Sequence, residues 1–145
     1  MRILAIDYGR KRVGLALSDE LGFTAQPFAT LERTNRRNDL RRLREICRQH
    51  GVTRILVGHP LHMSGETGEM AQEAARFAAR LTKDLGIEVE LADERLTTWE
   101  AGRTMAETKS RRRRGQLDDV AAAILLREYL DRKRGMSHGI PAEKE

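Results

Sequence analysis

The chain has 145 residues, with 27 lysines and arginines against 22 aspartates and glutamates, and a formal net charge of +5 at pH 7. This length suits one domain, and a composition of 39% hydrophobic and 34% charged residues excludes a chain that is disordered throughout. No apolar run of about 18 residues is present, and Asp7 interrupts the N-terminal segment before a signal-peptide hydrophobic region could form, so we expect a protein that is neither exported nor membrane-spanning. Cys47 is the single cysteine, which excludes an internal disulfide and a cysteine-based zinc site and favours a reducing cytoplasm.

The first predicted elements are β-strands. Two short apolar runs lie on either side of Gly9 and a basic tripeptide, and they predict a hairpin of central strands at Arg2–Asp7 and Val13–Ser18. A weaker third strand is predicted at Thr24–Leu31. Its Pro27 cannot donate a hydrogen bond to a ladder, which indicates an edge strand or a bulge.

Helices and strands alternate in the middle of the chain. Apolar residues at three-to-four spacing predict an amphipathic helix over Asn38–His50 and a second helix over Met70–Leu85. Each is followed by a glycine suited to a helix C-cap. The run Arg54–Gly58 predicts a buried strand between them, and the alternating sequence Ile87–Asp93 predicts a strand with one exposed face, which we expect at an edge.

The last part of the chain is predicted to be helical on both sides of a basic loop. A capping box at Thr97–Glu100 predicts the start of a third helix, which runs to about Glu107. The segment Thr108–Gly115 is predicted to be an exposed loop, and a strongly apolar helix begins at Leu117 and frays beyond Gly135. The residues expected on its buried face are Val120, Ala121, Ile124, Leu125 and Tyr129.

The order of these elements predicts the fold class. A meander of three strands feeds two strand–helix–strand crossovers, which predicts an α/β protein with a mixed sheet and helices on its faces. The crossovers make the later strands parallel to the first. In open sheets of this kind, ligands bind where the parallel strands end at their carboxyl edge.

The positive charge is concentrated in three segments. They are Arg10-Lys11-Arg12, the arginine-rich stretch Arg33–Arg48, and the sequence KSRRRR at Lys109–Arg114. Because the guanidinium group binds phosphate oxygens in pairs, these segments indicate phosphate-bearing partners. We interpret Arg36–Arg48, taken alone, as a solvated helix face, whereas the adjacent arginines at 111–114 repel one another unless a polyanion neutralises them.

Acidic residues follow or begin elements at the same predicted edge of the sheet. Asp7 ends the first strand, Asp93-Glu94 follows the last strand, and Asp118 begins the last helix beside Asp119. Capping alone does not assign the roles of Asp118 and Asp119, because either carboxylate suits a helix N-terminus. Carboxylates brought together repel unless a divalent ion lies between them, and hard oxygen ligands favour Mg²⁺ or Mn²⁺. Basic loops around such a centre predict a nuclease that uses paired ions to activate water and to stabilise a leaving oxygen.

Four motifs in this order resemble one known family. The chain is similar, from Met1 to about Arg134, to the YqgF-type family of pre-16S rRNA nucleases, which are also described as Holliday-junction-resolvase-like. The motifs are DYGRKRVGLALSD at Asp7–Asp19, GHPLHMSG at Gly58–Gly65, DERLTT at Asp93–Thr98 and LDDVAAAILL from Leu117. The resemblance implies an RNase H-like fold, with a five-stranded mixed sheet whose first three strands are antiparallel. It gives a nuclease domain of residues 1–135 and a flexible tail of residues 136–145.

The same resemblance implies the site residues. The catalytic and metal-binding trio is Asp7, Glu94 and Asp118, with Asp119 in a variable position. The residues expected to bind nucleic acid are Arg10, Lys11, Arg12, Lys109, Arg111, Arg112, Arg113 and Arg114. The residues expected to support the site are Gly9, Gly58, Pro60, Gly65, Arg95 and Thr97.

The loop after Gly58 departs from the family pattern at two positions. His62 stands where asparagine is expected, and Ser64 stands where aspartate is expected. His59 and His62 are either proton-transfer groups near the metal or polar surface of an exposed loop. The resemblance therefore does not carry over the substrate contacts of this loop, although Gly58, Pro60 and Gly65 keep its backbone pattern.

Three functions fit these observations. The leading hypothesis is a metal-dependent endonuclease that processes the 5′ end of precursor 16S rRNA. A Holliday-junction resolvase acting on branched DNA would use the same chemistry, and its two symmetric cuts predict a homodimer. A noncatalytic RNA-binding assembly factor is the third, although aromatic residues make up only 4% of the chain and give little support to base stacking. A phosphate loop like that of actin-like kinases, suggested by Asp7-Tyr8-Gly9 and Gly14, would need a second domain.

Overall fold

The computed structural model describes residues 1–58, 67–92 and 117–144. Its strands are β1 Arg2–Asp7, β2 Arg12–Ser18, β3 Ala25–Glu32, β4 Val52–Gly58 and β5 Glu88–Leu91. Its helices are α1 Arg36–His50, α2 Thr67–Leu85 and α3 Leu117–Lys144. The helix predicted from Thr97 and the basic loop Thr108–Gly115 lie outside the described residues. None of the described helices is long and apolar enough to cross a membrane.

The strands form one mixed sheet of five, in the order β3-β2-β1-β4-β5. Strand β2 runs antiparallel to both β1 and β3, whereas β4 runs parallel to β1 and to β5. The predicted α/β class, the antiparallel first three strands and the parallel crossovers are therefore confirmed. Strand β1 lies at the centre of the sheet, and its carboxyl end is flanked by neighbours on both sides.

Alternation along β1 divides the core between the two faces of the sheet. Leu4 and Ile6 pack with α1 and α2 in one apolar cluster, whereas Ile3 and Ala5 pack with α3 in the other. All four of these side chains are less than 4% exposed. Since successive side chains of a strand point to opposite faces, Asp7 belongs to the face that α3 covers.

The outer strand β3 carries the expected irregularity. Pro27 pairs with Ala16, and the register shifts so that Phe28 has no partner in β2. The order of the sheet places β3 at one edge and β5 at the other, as predicted. Strand β5 ends at Leu91 and is shorter than the predicted Ile87–Asp93.

The first helix begins earlier than its apolar periodicity predicts. Asn35 is the N-cap, and its side chain accepts a hydrogen bond of 2.9 Å from the backbone N–H of Asn38, so that α1 starts at Arg36. The predicted end is confirmed, because Gly51 has φ of 64° and its N–H donates to the carbonyl of Cys47. Gly86 after α2 has φ of 69° and donates to Thr82 in the same way.

The buried face of α3 differs from the predicted one. Leu125 and Tyr129 are buried as expected, but Val120, Ala121 and Ile124 are only half-buried. The remaining buried residues of this helix are Ala122, Leu126 and Leu130. The sequence VAAAILL is apolar all round the helix, so its periodicity does not orient the helix, and packing against the sheet decides which side is covered.

The backbone of α3 continues as a helix through Gly135 to Lys144. The sequence predicts fraying beyond Gly135, and the helical assignment differs from that expectation. The division into a domain of residues 1–135 and a flexible tail of residues 136–145 stays a prediction, because helical backbone does not by itself measure mobility.

Candidate active site

The carboxylate of Asp7 lies at the carboxyl end of the central strand. Asp7 is 8% exposed, and its neighbours across the sheet are Gly14 of β2 and Gly58 of β4. An acid at the end of the run ILAI reaches this position because the apolar residues before it fill the core on both faces. The site is therefore built on the most buried strand of the sheet.

The two glycines beside Asp7 allow α3 to approach the sheet closely. A Cβ atom at Gly14 would overlap the backbone carbonyl of Asp118, and one at Gly58 would lie 2.9 Å from Cδ2 of Leu125. Real Cβ atoms essentially never come within 3.0 Å of such a neighbour. Glycine at both positions is thus what brings the first turn of α3 next to the end of β1.

Asp118 faces the same cleft as Asp7. Its Oδ2 accepts a hydrogen bond of 3.0 Å from Nε of Arg12, and both side chains are about a quarter exposed, at 27% and 26%. The position in the first turn of α3 also favours a negative charge, because the helix dipole is positive there. Asp118 lines the cleft together with Asp7, whereas Asp119 is not among the lining residues. Oδ1 of Asp119 is buried with no hydrogen-bond partner within the described part of the chain.

The electrostatics of the cleft favour an added cation. Burial raises the pKa of Asp7 well above its ordinary value, and the negative charge of Asp118 raises it further. Within the described residues, no hydrogen-bond donor reaches the Asp7 carboxylate. A positive charge between the two carboxylates would reverse both effects on the pKa.

The cleft itself has a volume of about 180 Å³ and is open to solvent. It is lined by Asp7, Tyr8, Gly9, Arg10, Lys11, Arg12 and Asp118. The predicted site residues Gly9 and Gly58 lie in it or beside it, since Gly58 pairs with Asp7 in the sheet. The sequence motif DYGRKR thus supplies most of its wall.

The basic tripeptide of the turn between β1 and β2 is partly engaged by acids. Arg10 binds Glu73 of α2 through Nη2 and Oε2 at 2.8 Å, and Arg12 binds Asp118. Lys11 is exposed, and its carbonyl accepts a hydrogen bond of 2.8 Å from the N–H of Arg33. Nucleic-acid binding by these residues stays a prediction.

Many predicted site residues lie outside the described residues. They are His59, Pro60, His62, Ser64, Gly65, Glu94, Arg95, Thr97, Lys109, Arg111, Arg112, Arg113 and Arg114. The structure therefore brings together two members of the predicted trio, Asp7 and Asp118, and leaves the place of Glu94 untested. Among the described residues, no group of three His, Cys, Asp or Glu side chains forms a metal cluster.

The donors that are described fit a hard divalent cation. Asp7 and Asp118 offer carboxylate oxygens, which are the ligands that Mg²⁺ and Mn²⁺ prefer. Thiolate is excluded from this cleft, because the single cysteine, Cys47, is buried in the other core cluster. The raised pKa of Asp7 also indicates that its charged form needs a positive partner.

Two residues of this site were not predicted from the sequence: a glycine beside the acids and an aromatic residue that lines the cleft. Gly14 was not assigned a place beside the acids, although a glycine inside the apolar run VGLALS signals that another backbone approaches. Tyr8 lines the cleft and is 8% exposed. Its ring centroid lies 5.2 Å from that of Phe77 in α2, a contact that no local sequence pattern predicts.

Comparisons with known proteins show the family to which the chain belongs. Residues 1–132 match the family model described as RuvX: Holliday junction resolvase. The chain is 46% identical over 134 residues to a candidate pre-16S rRNA nuclease of Moorella thermoacetica, covering 91% of this chain and 96% of the relative. It is 44% identical over 138 residues to a candidate pre-16S rRNA nuclease of Geobacillus kaustophilus, covering 92% of this chain and all of the relative, 100%.

Two solved structures share the fold. RuvC of T. thermophilus in complex with a Holliday junction substrate aligns with a TM-score of 0.55 at 16% identity, covering 92% of this chain and 96% of that one. The large terminase nuclease of the thermophilic phage G20c with bound zinc aligns with a TM-score of 0.53 at 13% identity, covering 87% and 79%. At such identities the likeness shows the fold alone, and it confirms the predicted RNase H-like sheet.

Proposed function

The chain belongs to the RuvX family, and from that membership we propose that it is a metal-dependent endonuclease that hydrolyses phosphodiester bonds in structured nucleic acid. One observation carries this proposal. Asp7 is a buried carboxylate at the carboxyl edge of the sheet, it lacks a hydrogen-bond donor within the described ranges, and it shares an open cleft with Asp118. Asp118 is held by Arg12, but Asp7 is poorly satisfied by the described residues and would be well satisfied by a divalent cation shared with Asp118.

In this proposal Asp7 and Asp118 hold Mg²⁺ or Mn²⁺, and Glu94 is the third ligand by resemblance to the family. When bound, a pair of such ions supplies an activated water and stabilises the leaving oxygen of a phosphodiester. Two basic side chains of the turn between β1 and β2 act beside the metal ligands. Arg12 fixes the carboxylate of Asp118 by its hydrogen bond of 3.0 Å, and exposed Lys11 neutralises a substrate phosphate at the mouth of the cleft.

The rigidity of the turn between β1 and β2 supports this assignment. Arg33 donates from Nη1 to the carbonyl of Gly9 at 3.1 Å, and Arg10 is held by Glu73. The turn is thereby tied to the connection between β3 and α1 and to helix α2, so the groups around the carboxylates are positioned before substrate arrives. Preorganised groups of this kind stabilise a transition state without reorganising during the reaction.

The substrate that we propose is precursor 16S rRNA, cleaved at its 5′ end. Relatives that cover nearly the whole chain at 44–46% identity are named as pre-16S rRNA nucleases, and the 5′ end is our proposal. From the same assignment we propose that the protein acts in the cytoplasm. The basic segments of the turn between β1 and β2, and the arginines at 111–114, would neutralise phosphates that flank the cut.

A second candidate function is resolution of four-way DNA junctions. The description of the matching family model favours it. The chemistry at Asp7 would be the same, but symmetric cutting of two strands needs a homodimer. Sedimentation of the protein with and without a junction would separate this candidate from a monomeric RNA-processing enzyme.

The decisive experiment offers a 5′-extended rRNA precursor and a four-way DNA junction to the same set of proteins, with and without Mn²⁺. We expect the wild type to cleave one substrate only in the presence of the ion. Asp7→Asn should lose cleavage by about a hundredfold or more, because a transition-state stabilisation of about 3 kcal/mol is removed.

The matched control is Asp131→Asn. Asp131 is an exposed acid of α3 that pairs with Arg134 and lies far along the helix from Asp118. This variant should cleave like the wild type. Cleavage by Asp7→Asn at the wild-type rate, or cleavage that is unaffected by removing the ion, would contradict the proposed function.

A further inference from the structure

A second cleft lies between the start of α1 and the middle of α2. Its volume is about 220 Å³, and its wall includes the arginines Arg33, Arg36, Arg76 and Arg80. We call it the basic cleft. These arginines come from two segments separated by about forty residues, and the packing of α1 beside α2 brings them together. Among the residues that the structure describes, the acids that line this cleft are Asp39 and Glu73.

Both acids of the basic cleft are already engaged. Asp39 accepts hydrogen bonds from the N–H of Thr34 at 3.1 Å, from Arg42 at 3.1 Å and from Arg33 at 3.3 Å. Glu73 is bound by Arg10, and this hydrogen bond lowers the pKa of Glu73. Both carboxylates are therefore already paired, although the charge of Arg76 also acts on Glu73 and lowers its pKa.

The remaining arginines keep their charge for a ligand. Arg36, Arg76 and Arg80 are exposed, and no ion pair or hydrogen bond engages their guanidinium groups within the part of the chain that the structure describes. Arg33 forms the floor instead. Its guanidinium carbon lies 5.1 Å from the ring centroid of Tyr8 and 5.3 Å from that of Phe77, and these contacts hold it in place.

The basic cleft adjoins the candidate active site. Tyr8 lines both clefts, and the ion pair between Arg10 and Glu73 forms the boundary between them. Asp7 ends β1 on the α3 face, and Tyr8, which follows it, packs in the cluster of α1 and α2, so the two clefts lie on opposite faces of the sheet. A polymer that crosses the carboxyl edge of the sheet can therefore occupy both.

We propose that the basic cleft binds the phosphodiester backbone of the substrate at a distance from the bond that is cleaved. This inference rests on the proposed function, and it adds a binding site made by Arg36, Arg76 and Arg80. Three exposed guanidinium groups along an open cleft suit several successive backbone phosphates, whereas a single small anion is usually enclosed. Contacts of this kind set the register of a nucleic acid without reading its sequence.

The test compares two double variants that change the net charge equally. Arg36→Gln with Arg80→Gln removes two guanidinium groups from the basic cleft. Arg127→Gln with Arg132→Gln removes two exposed guanidinium groups from α3 on the other face of the sheet. Binding of a labelled four-way DNA junction and of a labelled 5′-extended rRNA hairpin is measured without divalent metal across a series of KCl concentrations.

We expect the first double variant to bind more weakly and to reduce the slope of log K against log salt by about 2, which is about 1 for each phosphate that the variant no longer neutralises. The α3 variant should keep the wild-type slope. Circular dichroism and urea unfolding of both variants check that the fold is unchanged. A wild-type slope in the first variant, an equal loss in both variants, or no binding of either nucleic acid by the wild type would overturn the proposal.

Cleavage distinguishes this proposal from the proposed function. If the wild type binds with the expected slope, the first double variant loses about 2 of it, and neither substrate is cleaved in Mn²⁺, the basic cleft stands and the nuclease assignment fails. If the wild type cleaves and the first double variant binds with an unchanged slope, the nuclease assignment stands and the basic cleft fails.

Discussion

Two aspartates of this chain are almost equally buried and differ in every other respect. Asp7 is 8% exposed and Asp39 is 6% exposed. Asp39 lies in the first turn of α1 and accepts hydrogen bonds from a backbone N–H and from two arginines. Asp7 accepts none from the described residues, and the charge that shifts its pKa is that of another acid, Asp118.

The pKa values of these two carboxyls move in opposite directions. Burial by itself would raise the pKa of Asp39, but the hydrogen bonds from Thr34, Arg42 and Arg33 bring it below its ordinary value. Burial and the charge of Asp118 raise the pKa of Asp7. Burial of an acid therefore does not identify its role, whereas the hydrogen-bond donors around it do. The donors around Asp39 stabilise its charge within the protein, whereas the charge of Asp7 needs an added cation.

Among the substitutions that test this comparison, Gly14→Ala is expected to change stability and cleavage the most. The new Cβ would overlap the carbonyl of Asp118, so the start of α3 must move away from β1. We expect a loss of about 3 kcal/mol in the free energy of unfolding and a parallel loss of cleavage, because Asp118 leaves the cleft. Urea unfolding and the cleavage assay measure the two effects.

Gly58→Ala is the graded control for that substitution. Its Cβ would meet the end of the Leu125 side chain at 2.9 Å, and this flexible group can shift where a backbone carbonyl cannot. The cost in stability should therefore be smaller than for Gly14→Ala. Equal stability of Gly14→Ala and the wild type would show that α3 is not held against the sheet as described.

An intermediate effect is expected from Asp39→Asn. The variant loses charge-assisted hydrogen bonds with Arg33 and Arg42, and we expect the free energy of unfolding to fall by about 2 kcal/mol at pH 7. The pKa of Asp39 is lowered in the folded state, so its stabilisation is present above the ordinary value of 3.8 and is lost as the pH falls through the folded value. Urea unfolding at pH 7 and at about pH 3 tests this sign.

The difference between Asp39→Asn and the wild type should therefore shrink in acid. Asp131→Asn, which alters an exposed pair with Arg134, is the control and should change stability by less than about 1 kcal/mol at either pH. If Asp39→Asn lowers the free energy of unfolding as much in acid as at neutral pH, the substitution acts through packing and not through charge.

The smallest effect, and the one of opposite sign, is expected from Asp7→Asn in protein without metal. The raised pKa means that the folded wild type loses stability as the pH rises from 3.8 toward the folded value of Asp7. The amide avoids that loss, so the variant should be the more stable protein at pH 7. The two proteins should converge in acid.

Added Mg²⁺ should reverse this order. A cation that binds the folded wild type stabilises it by mass action, whereas Asp7→Asn should gain little. Thermal unfolding of both proteins across a series of Mg²⁺ concentrations measures the difference. An Asp7→Asn variant that is less stable than the metal-free wild type at pH 7 would show that Asp7 has a structural partner like that of Asp39.

Local patterns predicted the sheet and the position of Asp7 for a physical reason. An apolar run that ends in an acid can be buried only as a strand whose last residue reaches the edge of the core, and β1 behaves in that way. The resemblance added the choice of Asp118 over Asp119, and the structure places Asp118 in the cleft. Capping alone could not make that choice, because both residues suit the first turn of a helix.

The features that sequence could not predict depend on contacts between distant segments. The face of α3 is chosen by the sheet, because the helix is apolar all round. Arg76 and Arg80 read as ordinary polar positions of α2, and Arg36 reads as part of a solvated face. Their common cleft exists only once α1 and α2 lie side by side, and Arg33 takes its place there through Tyr8 and Phe77.

The alternation of β1 also limits how the length of this chain can change. Adding or removing a single residue between Ile3 and Ile6 would move each following side chain to the opposite face of the sheet. Asp7 would then face α2, and Tyr8 would face α3. The acid would then meet Arg33 in place of Asp118, and Arg33 at the floor of the basic cleft would lose its contact with the Tyr8 ring. Insertions and deletions of one residue are therefore tolerable in turns such as Asp19–Gly22 and intolerable in β1, where a shift by one position exchanges the two clefts.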